Sequence, residues 1–336
     1  MADSPIFIVG CPRSGTTLLR DLLRGHPRLT FPGESQLLVD LYQGYGDPQN
    51  ERQAVRLAAK MLEMGSVPTW GLQLEPSSFA NDRSYREVVS RLYGAWALSE
   101  NKLRWGDKTP RYVKNIPVLL EIFPSAKIIH IYRDGRDVAL SWLKHPFGPH
   151  NLFTAARNWK TMVTTGREVG ARLPRETYLE VRYESLIASP AETMKRVCAF
   201  LDEPFTDAVL RPDPWVRRRR SGQCPYRLIF GNPRDKAPLI SEIKGGNAGK
   251  WRKELSVAKR ILFESVAGDL LKELGYETEG IRRRVAKPEQ LMWQGHNFLM
   301  WLLRRLNMTN SPRLLREGLI RKWSAVLHRR RAREDR

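Results

Sequence analysis

The stretch that most constrains this chain is Ile6-Phe7-Ile8-Val9-Gly10-Cys11-Pro12-Arg13-Ser14-Gly15-Thr16-Thr17-Leu18-Leu19-Arg20. Four apolar residues, three of them β-branched, make a short buried strand. The segment from Gly10 to Gly15 makes a tight loop, and Thr16-Thr17-Leu18-Leu19 opens a helix. Glycines at both ends let consecutive backbone N–H groups turn inward. The helix beneath adds unpaired donors and the positive end of its dipole, so the turn is a cradle for phosphate. A strand, loop and helix of this kind predict an α/β fold: a P-loop-like central parallel sheet flanked by helices, with the ligand at the carboxyl ends of the strands.

The spacing matches the triphosphate loop G-x-x-x-x-G-K-[ST] at both glycines, but Thr16 stands where that pattern requires lysine. Without the lysine, cleavage between β- and γ-phosphates loses its usual charge clamp. The positive charge sits instead at Arg13, inside the loop, where it can meet a single phosphate bearing a good leaving bond. A nucleotide kinase or ATPase with a degenerate loop is therefore the weaker alternative, and no strand-end aspartate suited to magnesium accompanies the loop.

Composition narrows the partners. In 336 residues, 57 Lys and Arg stand against 36 Asp and Glu, a net charge of +21. Such a surface attracts nucleotides, acidic peptides or polymers, nucleic acid or anionic membranes, and charge alone does not choose among them. The length suits one large α/β domain with an appendage. Cys11, Cys198 and Cys224 have neither paired spacing nor an even count, which argues against a disulfide framework or zinc site and points to a reducing, cytoplasmic setting. The run from Ile6 to Val9 is too short for a leader and continues into the phosphate loop, so no signal peptide is expected. The run from Phe298 to Leu303 is far short of a bilayer span.

Further segments carry chemistry. Pro32-Gly33-Glu34-Ser35 places a carboxylate after a short strand at Leu29-Thr30-Phe31 and before the helical pattern Leu37, Leu38, Leu41. There it either acts at the sheet rim or simply favours a helix N-terminus. Leu103 to Lys108 is a strand running into Thr109-Pro110, with Pro110 suited to a first helical position, so Lys108 is expected to point out near the sheet edge, where a lysine is usually only solvated. Lys127 to Tyr132 is the clearest strand after the first and is expected beside it. Arg133-Asp134-Gly135-Arg136-Asp137 then opens a helix carrying Ser141, with Arg136 expected to pair with Asp134 or Asp137. Arg182-Tyr183-Glu184-Ser185-Leu186 follows a strand at Thr177 to Val181, and Tyr183 also suits a buried anchor. Lys250-Trp251-Arg252 ends a glycine-rich stretch before a helix expected from Lys253 to Leu274.

In this order, over about residues 5 to 275, these elements resemble the sulfotransferases that use 3'-phosphoadenosine 5'-phosphosulfate (PAPS), in the bacterial branch similar to tyrosylprotein sulfotransferases. The resemblance implies in-line transfer of a sulfuryl group from PAPS to an acceptor hydroxyl, with no metal. It assigns the 5'-phosphate to Arg13, Ser14, Gly15, Thr16 and Thr17, the 3'-phosphate to Arg133 and Ser141, and further nucleotide contacts to Tyr183, Lys250 and Trp251. Lys108 matches the lysine that touches the departing phosphosulfate, and with Arg13 it would stabilise developing charge. Glu34 matches the glutamate base of this branch. Pro110 stands where small-molecule sulfotransferases carry a histidine base, which strengthens Glu34. The family's stabilising serine has no clean match, Ser241 being the candidate. The acceptor (carbohydrate, peptide tyrosine or small molecule, acidic or not) does not follow from these motifs.

Beyond Ile281 the resemblance stops. Residues 1–280 are expected to form the sulfotransferase domain and 281–336 a basic amphipathic helical tail. The 56 residues from Ile281 carry 15 Lys and Arg against 4 Asp and Glu, a net +11. Leu315, Leu319, Trp323 and Val326 fall near one helical face, a pattern suited to an anionic membrane, a partner or the domain's own surface. A nucleic-acid-binding protein is the remaining alternative, with steep salt dependence as its signature. Basic charge equally suits an enzyme with acidic acceptors, and no nucleic-acid partner is expected.

Overall fold

The computed structural model describes residues 4–145, 148–211, 248–281 and 283–310, with side chains as far as residue 303. Ser241 and the face through Leu315, Leu319, Trp323 and Val326 lie outside the described residues.

Strand β1 (Ile6–Gly10) is buried at every residue. Its side chains alternate between two cores, as strand geometry requires. Phe7 and Val9 join Tyr93, Trp105 and Phe123 on one face, while Ile6 and Ile8 meet Leu18, Leu19, Leu22 and Leu23 of helix α1 (Thr16–Arg24) on the other. Strands β2 (Leu29–Thr30), β3 (Arg104–Lys108), β4 (Lys127–Tyr132) and β5 (Tyr178–Arg182) complete a parallel sheet in the order β2-β3-β1-β4-β5. Ile8 lies opposite Lys108 on one side and Ile129 on the other. The chain leaves β1 for β2 and β3 on one flank and later for β4 and β5 on the other. The carboxyl end of β1 is thus the switch point where α/β sheets receive ligands.

Between β2 and β3 lie helices α2 (Leu38–Tyr45), α3 (Glu51–Glu63) and α4 (Tyr85–Ser99). Trp70, Phe79, Tyr85, Tyr93 and Trp96 of this insertion are core: Trp70 packs on Tyr93 and Trp96 with ring centroids 5.0 and 5.7 Å apart. Helix α5 (Ile116–Ile122) precedes β4, and α6 (Gly135–Leu143) and α7 (Leu152–Gly170) cross from β4 to β5. Helix α8 (Tyr183–Ala188) begins where β5 ends. The helix expected from Lys253 to Leu274 is divided into Trp251–Glu254 and Val257–Glu273. The break falls at Leu255, whose extended backbone turns its side chain into the core. No helix among the described residues is long and apolar enough to cross a membrane.

At the centre of β4, His130 is wholly buried and its Nδ1 lies 2.6 Å from the Tyr178 hydroxyl. Burial, with a smaller push from Arg167, lowers its pKa from 6.5 to about 3, so it is neutral in the fold. A histidine with a folded pKa below its unfolded value takes up a proton more readily when unfolded. The stability gained from keeping it neutral is full above about pH 6.5 and is lost as pH falls towards about 3. Urea denaturation at stepped pH should therefore show stability dropping through this window. His130→Gln should flatten that slope by up to one proton, and an unchanged slope would show that His130 does not carry it.

Candidate functional site

The loop after β1 is shaped by three left-handed or otherwise glycine-like backbones. Gly15 has φ 96°, and a Cβ there would fall 2.3 Å from Cδ2 of Tyr183, so both conformation and packing demand glycine. A Cβ on Gly10 would fall 2.3 Å from the Ile131 carbonyl oxygen. Arg13, with φ 75°, is a non-glycine residue in the left-handed region, of a kind that clusters at ligand sites. The loop closes through Ser14 N–H donating to the Cys11 carbonyl at 3.2 Å, and Leu19 N–H donates to the Gly15 carbonyl at 3.0 Å as α1 begins. The Ser14 hydroxyl is wholly buried and has no hydrogen-bond partner among the described residues. Leaving it so costs about 1 to 3 kcal/mol, which an anion in the cradle would offset. Cys11 beside it is no nucleophile, because burial pushes its thiol pKa strongly up.

The sequence-predicted residues gather into two groups around this loop. In the first, Arg13 Nε donates to Ser141 Oγ at 2.9 Å, and Arg133 donates to the Arg13 carbonyl at 3.4 Å while stacking on the Tyr183 ring at 4.5 Å. Residues distant in sequence thus meet beside the loop. Arg136 is structural, as expected: it grips Asp134 through two N–H···O bonds of 3.0 and 2.8 Å and also reaches Glu264 at 3.0 Å. Arg133 has its own carboxylate neighbour, Asp137, at 3.5 Å.

In the second group, the Lys108 ammonium binds the Glu34 carboxylate and donates to Thr17 Oγ1 at 3.3 Å. Lys108 ends β3 and is buried, with a side chain only 3% exposed, rather than a solvated rim lysine. Glu34 sits in irregular chain between β2 and α2, so its position depends on what anchors that segment. The anchor is Asp107, fully buried, whose Oδ2 accepts from Ser35 Oγ at 2.7 Å and from Tyr93 OH at 2.7 Å. Burial raises the Asp107 pKa, and these hydrogen bonds pull the other way.

Asp107, Tyr93 and Asp137 do not stand out in the sequence. Asp137 accepts from the backbone N–H of Gly249 at 2.7 Å and of Trp251 at 2.9 Å, tying the Lys250-Trp251 element to α6. The Trp251 ring lies under the Arg136 guanidinium at 3.5 Å, and Lys250 before it is exposed. The available signal for Asp107 is a carboxylate inside a short strand, next to Lys108 at its end. The signal for Asp137 was a second acid in a turn where Arg136 needed only one.

A family model described as "Sulfotransferase family" matches residues 5–207. Protein-tyrosine sulfotransferase of Drosophila melanogaster is 26% identical over 219 residues, 63% of this chain and 41% of that protein. Protein-tyrosine sulfotransferase A of Caenorhabditis elegans is 23% identical over 324 residues, 91% of this chain and 77% of that one. The match thus spans less than half the length of the first relative and more of the second. In fold, the chain is similar to the sulfotransferase domain from the curacin biosynthetic pathway, with a TM-score of 0.56 and 22% identity over 82% of this chain and 98% of that one.

Proposed function

The chain belongs to the sulfotransferase family, and on that premise we propose that it transfers the sulfuryl group of PAPS to an acceptor hydroxyl, with Glu34 as general base. One observation carries the proposal: the Glu34 carboxylate rests on Lys108, whose ammonium also reaches Thr17 at the start of the helix beneath the phosphate loop. A base, a cation and a phosphate cradle share one corner of the sheet.

PAPS supplies an activated sulfuryl group on a 5'-phosphate, and the residues present suit such a nucleotide. The N–H groups of Gly15, Thr16 and Thr17, with the hydroxyls of Ser14, Thr16 and Thr17, hold the 5'-phosphate, the Ser14 N–H being engaged by the Cys11 carbonyl. The Arg133 guanidinium takes the 3'-phosphate as a planar fork, with the Ser141 hydroxyl adding a contact. Tyr183 bounds this side of the pocket, and Lys250 and Trp251 close over it. Glu34 accepts the proton of the acceptor hydroxyl, while Arg13 and Lys108 hold the negative charge that passes towards the phosphate. The proposal includes no metal. It places the catalytic unit within residues 1–280 and leaves 281–336 outside it.

The names of the animal relatives support a phenolic hydroxyl as the first acceptor class to try, and the net charge of +21 supports an acidic setting for it. A screen of phenols, tyrosine peptides and carbohydrates with labelled PAPS, without added metal, should find label on a hydroxyl. Failure of PAPS to bind by calorimetry would overturn the proposal. Arg133→Ala should weaken 3'-phosphoadenosine 5'-phosphate by about 1.5 to 3 kcal/mol, the contribution of a charged hydrogen-bonding contact. Unchanged affinity in the same titration would remove Arg133 from the nucleotide site.

A further inference from the structure

The helix Lys287–Asn310 presents an apolar face that neither the core nor the proposed reaction uses. Its docked side meets the start of α7. His150 N–H donates to Asn297 Oδ1 at 2.8 Å, Asn151 Nδ2 donates to the Trp293 carbonyl at 2.8 Å, and the Trp293 ring packs against the core that α6 and α7 share with Val257–Glu273. Facing away, Leu291, Met292 and Phe298 are 67%, 56% and 61% exposed. Leu299 and Trp301 are exposed beside them, and the Phe298 and Trp301 rings stack with centroids 5.8 Å apart. Leu291 and Phe298 are seven residues apart and fall on one line of the helix. Clustered exposure of this kind marks an interaction site, unlike scattered single apolar residues.

Charge identifies what the face meets. From Leu291 to Leu303 the sequence holds no charged residue, yet Arg282, Arg283, Arg284 and Lys287 precede that run, against the single acid Glu289, which pairs with Arg283 at 2.7 Å, and Arg304 and Arg305 follow it. Residues 311–336 add nine Lys and Arg against three acidic residues. An apolar, aromatic face bracketed by arginines matches the boundary between acyl chains and anionic headgroups. We propose that this helix lies in the plane of an anionic lipid surface with Leu291, Met292, Phe298 and Leu299 in that boundary. A protein partner with an apolar groove would leave the basic brackets unused, and a second copy of the chain would bring like charges together.

The docking also sets which end of the molecule faces the lipid. Trp159 Nε1 donates to the Arg133 carbonyl at 3.1 Å, so that turn of α7 is level with the carboxyl end of β4. Asn151 comes eight residues earlier, about 12 Å further out on the same side at the rise of an α-helix. The lipid-facing helix therefore sits at the end of the sheet that carries the phosphate loop and Glu34.

The test uses the full chain and co-sedimentation with vesicles of phosphatidylcholine containing about 30% phosphatidylserine, against phosphatidylcholine alone. The full chain should bind the anionic vesicles about tenfold or more tightly than the neutral ones. Leu291→Glu/Phe298→Glu should lose about tenfold or more of that binding with its melting temperature kept, since both side chains are exposed. Leu291→Ala/Phe298→Ala should give an intermediate loss and serves if the charged variant misfolds. Absence of binding to anionic vesicles overturns the proposal. So does binding unchanged in both variants, which would make the attraction electrostatic only. A concentration-dependent dimer that the variants dissolve would assign the face to a second copy and also overturn it. None of these readouts depends on sulfuryl transfer.

Discussion

Glu34→Gln is expected to lower sulfuryl transfer by about 10²- to 10⁴-fold, the usual range for losing a general base, while PAPS binding survives. Glutamine keeps the shape and can still meet Lys108 through its amide oxygen, but it cannot take a proton. The side chain contacts Lys108 and not the first group of Arg13, Arg133, Ser141 and Tyr183, so the nucleotide-binding contacts should be spared. A series of phenols of falling pKa separates a base from a merely supporting residue. As the phenol ionises unaided, the Glu34→Gln defect should shrink. A defect of constant size, or a fully active variant, would place the base elsewhere and leave Glu34 as a support for the loop.

The parts of the site that were legible in the sequence are those whose logic is local. The strand at Ile6 to Val9, both loop glycines and the helix opening at Thr16 follow from apolar run, turn chemistry and cap position within one stretch, and the structure places all three as expected. The pairing of Arg136 with Asp134 spans two residues and was equally readable. What could not be read depends on pairings across the sheet. Lys108 looks like a rim lysine until β3 is known to lie between β1 and β2, which buries it. The Asp107 anchor draws on Ser35 and Tyr93, one before and one after the whole helical insertion's start, and nothing in the spacing joins them. The division at Leu255 escaped for a related reason. Helical periodicity continued through it, and only the packing of its side chain reveals the extended residue.

Lys108→Met tests the other half of the Glu34 contact and is expected to reduce transfer by about 10²- to 10³-fold, the cost of losing one preorganised donor to developing charge. Methionine nearly keeps the length and apolar stem of the buried side chain, so the change removes the ammonium with little loss of packing. Two roles are open to that ammonium: stabilising charge on the leaving phosphate and orienting Glu34. The phenol series divides them. Loss of leaving-group stabilisation persists with phenols that are already ionised, whereas loss of base orientation fades with them. The larger share should persist, because Lys108 also donates to Thr17 on the phosphate side of the loop. Because the two side chains touch, Glu34→Gln/Lys108→Met should fall short of the product of the single defects. A Lys108→Met defect that vanishes entirely with ionised phenols would reduce the residue to a positioning role. Strict multiplicativity in the double variant would show that the contact between base and ammonium is not used during turnover.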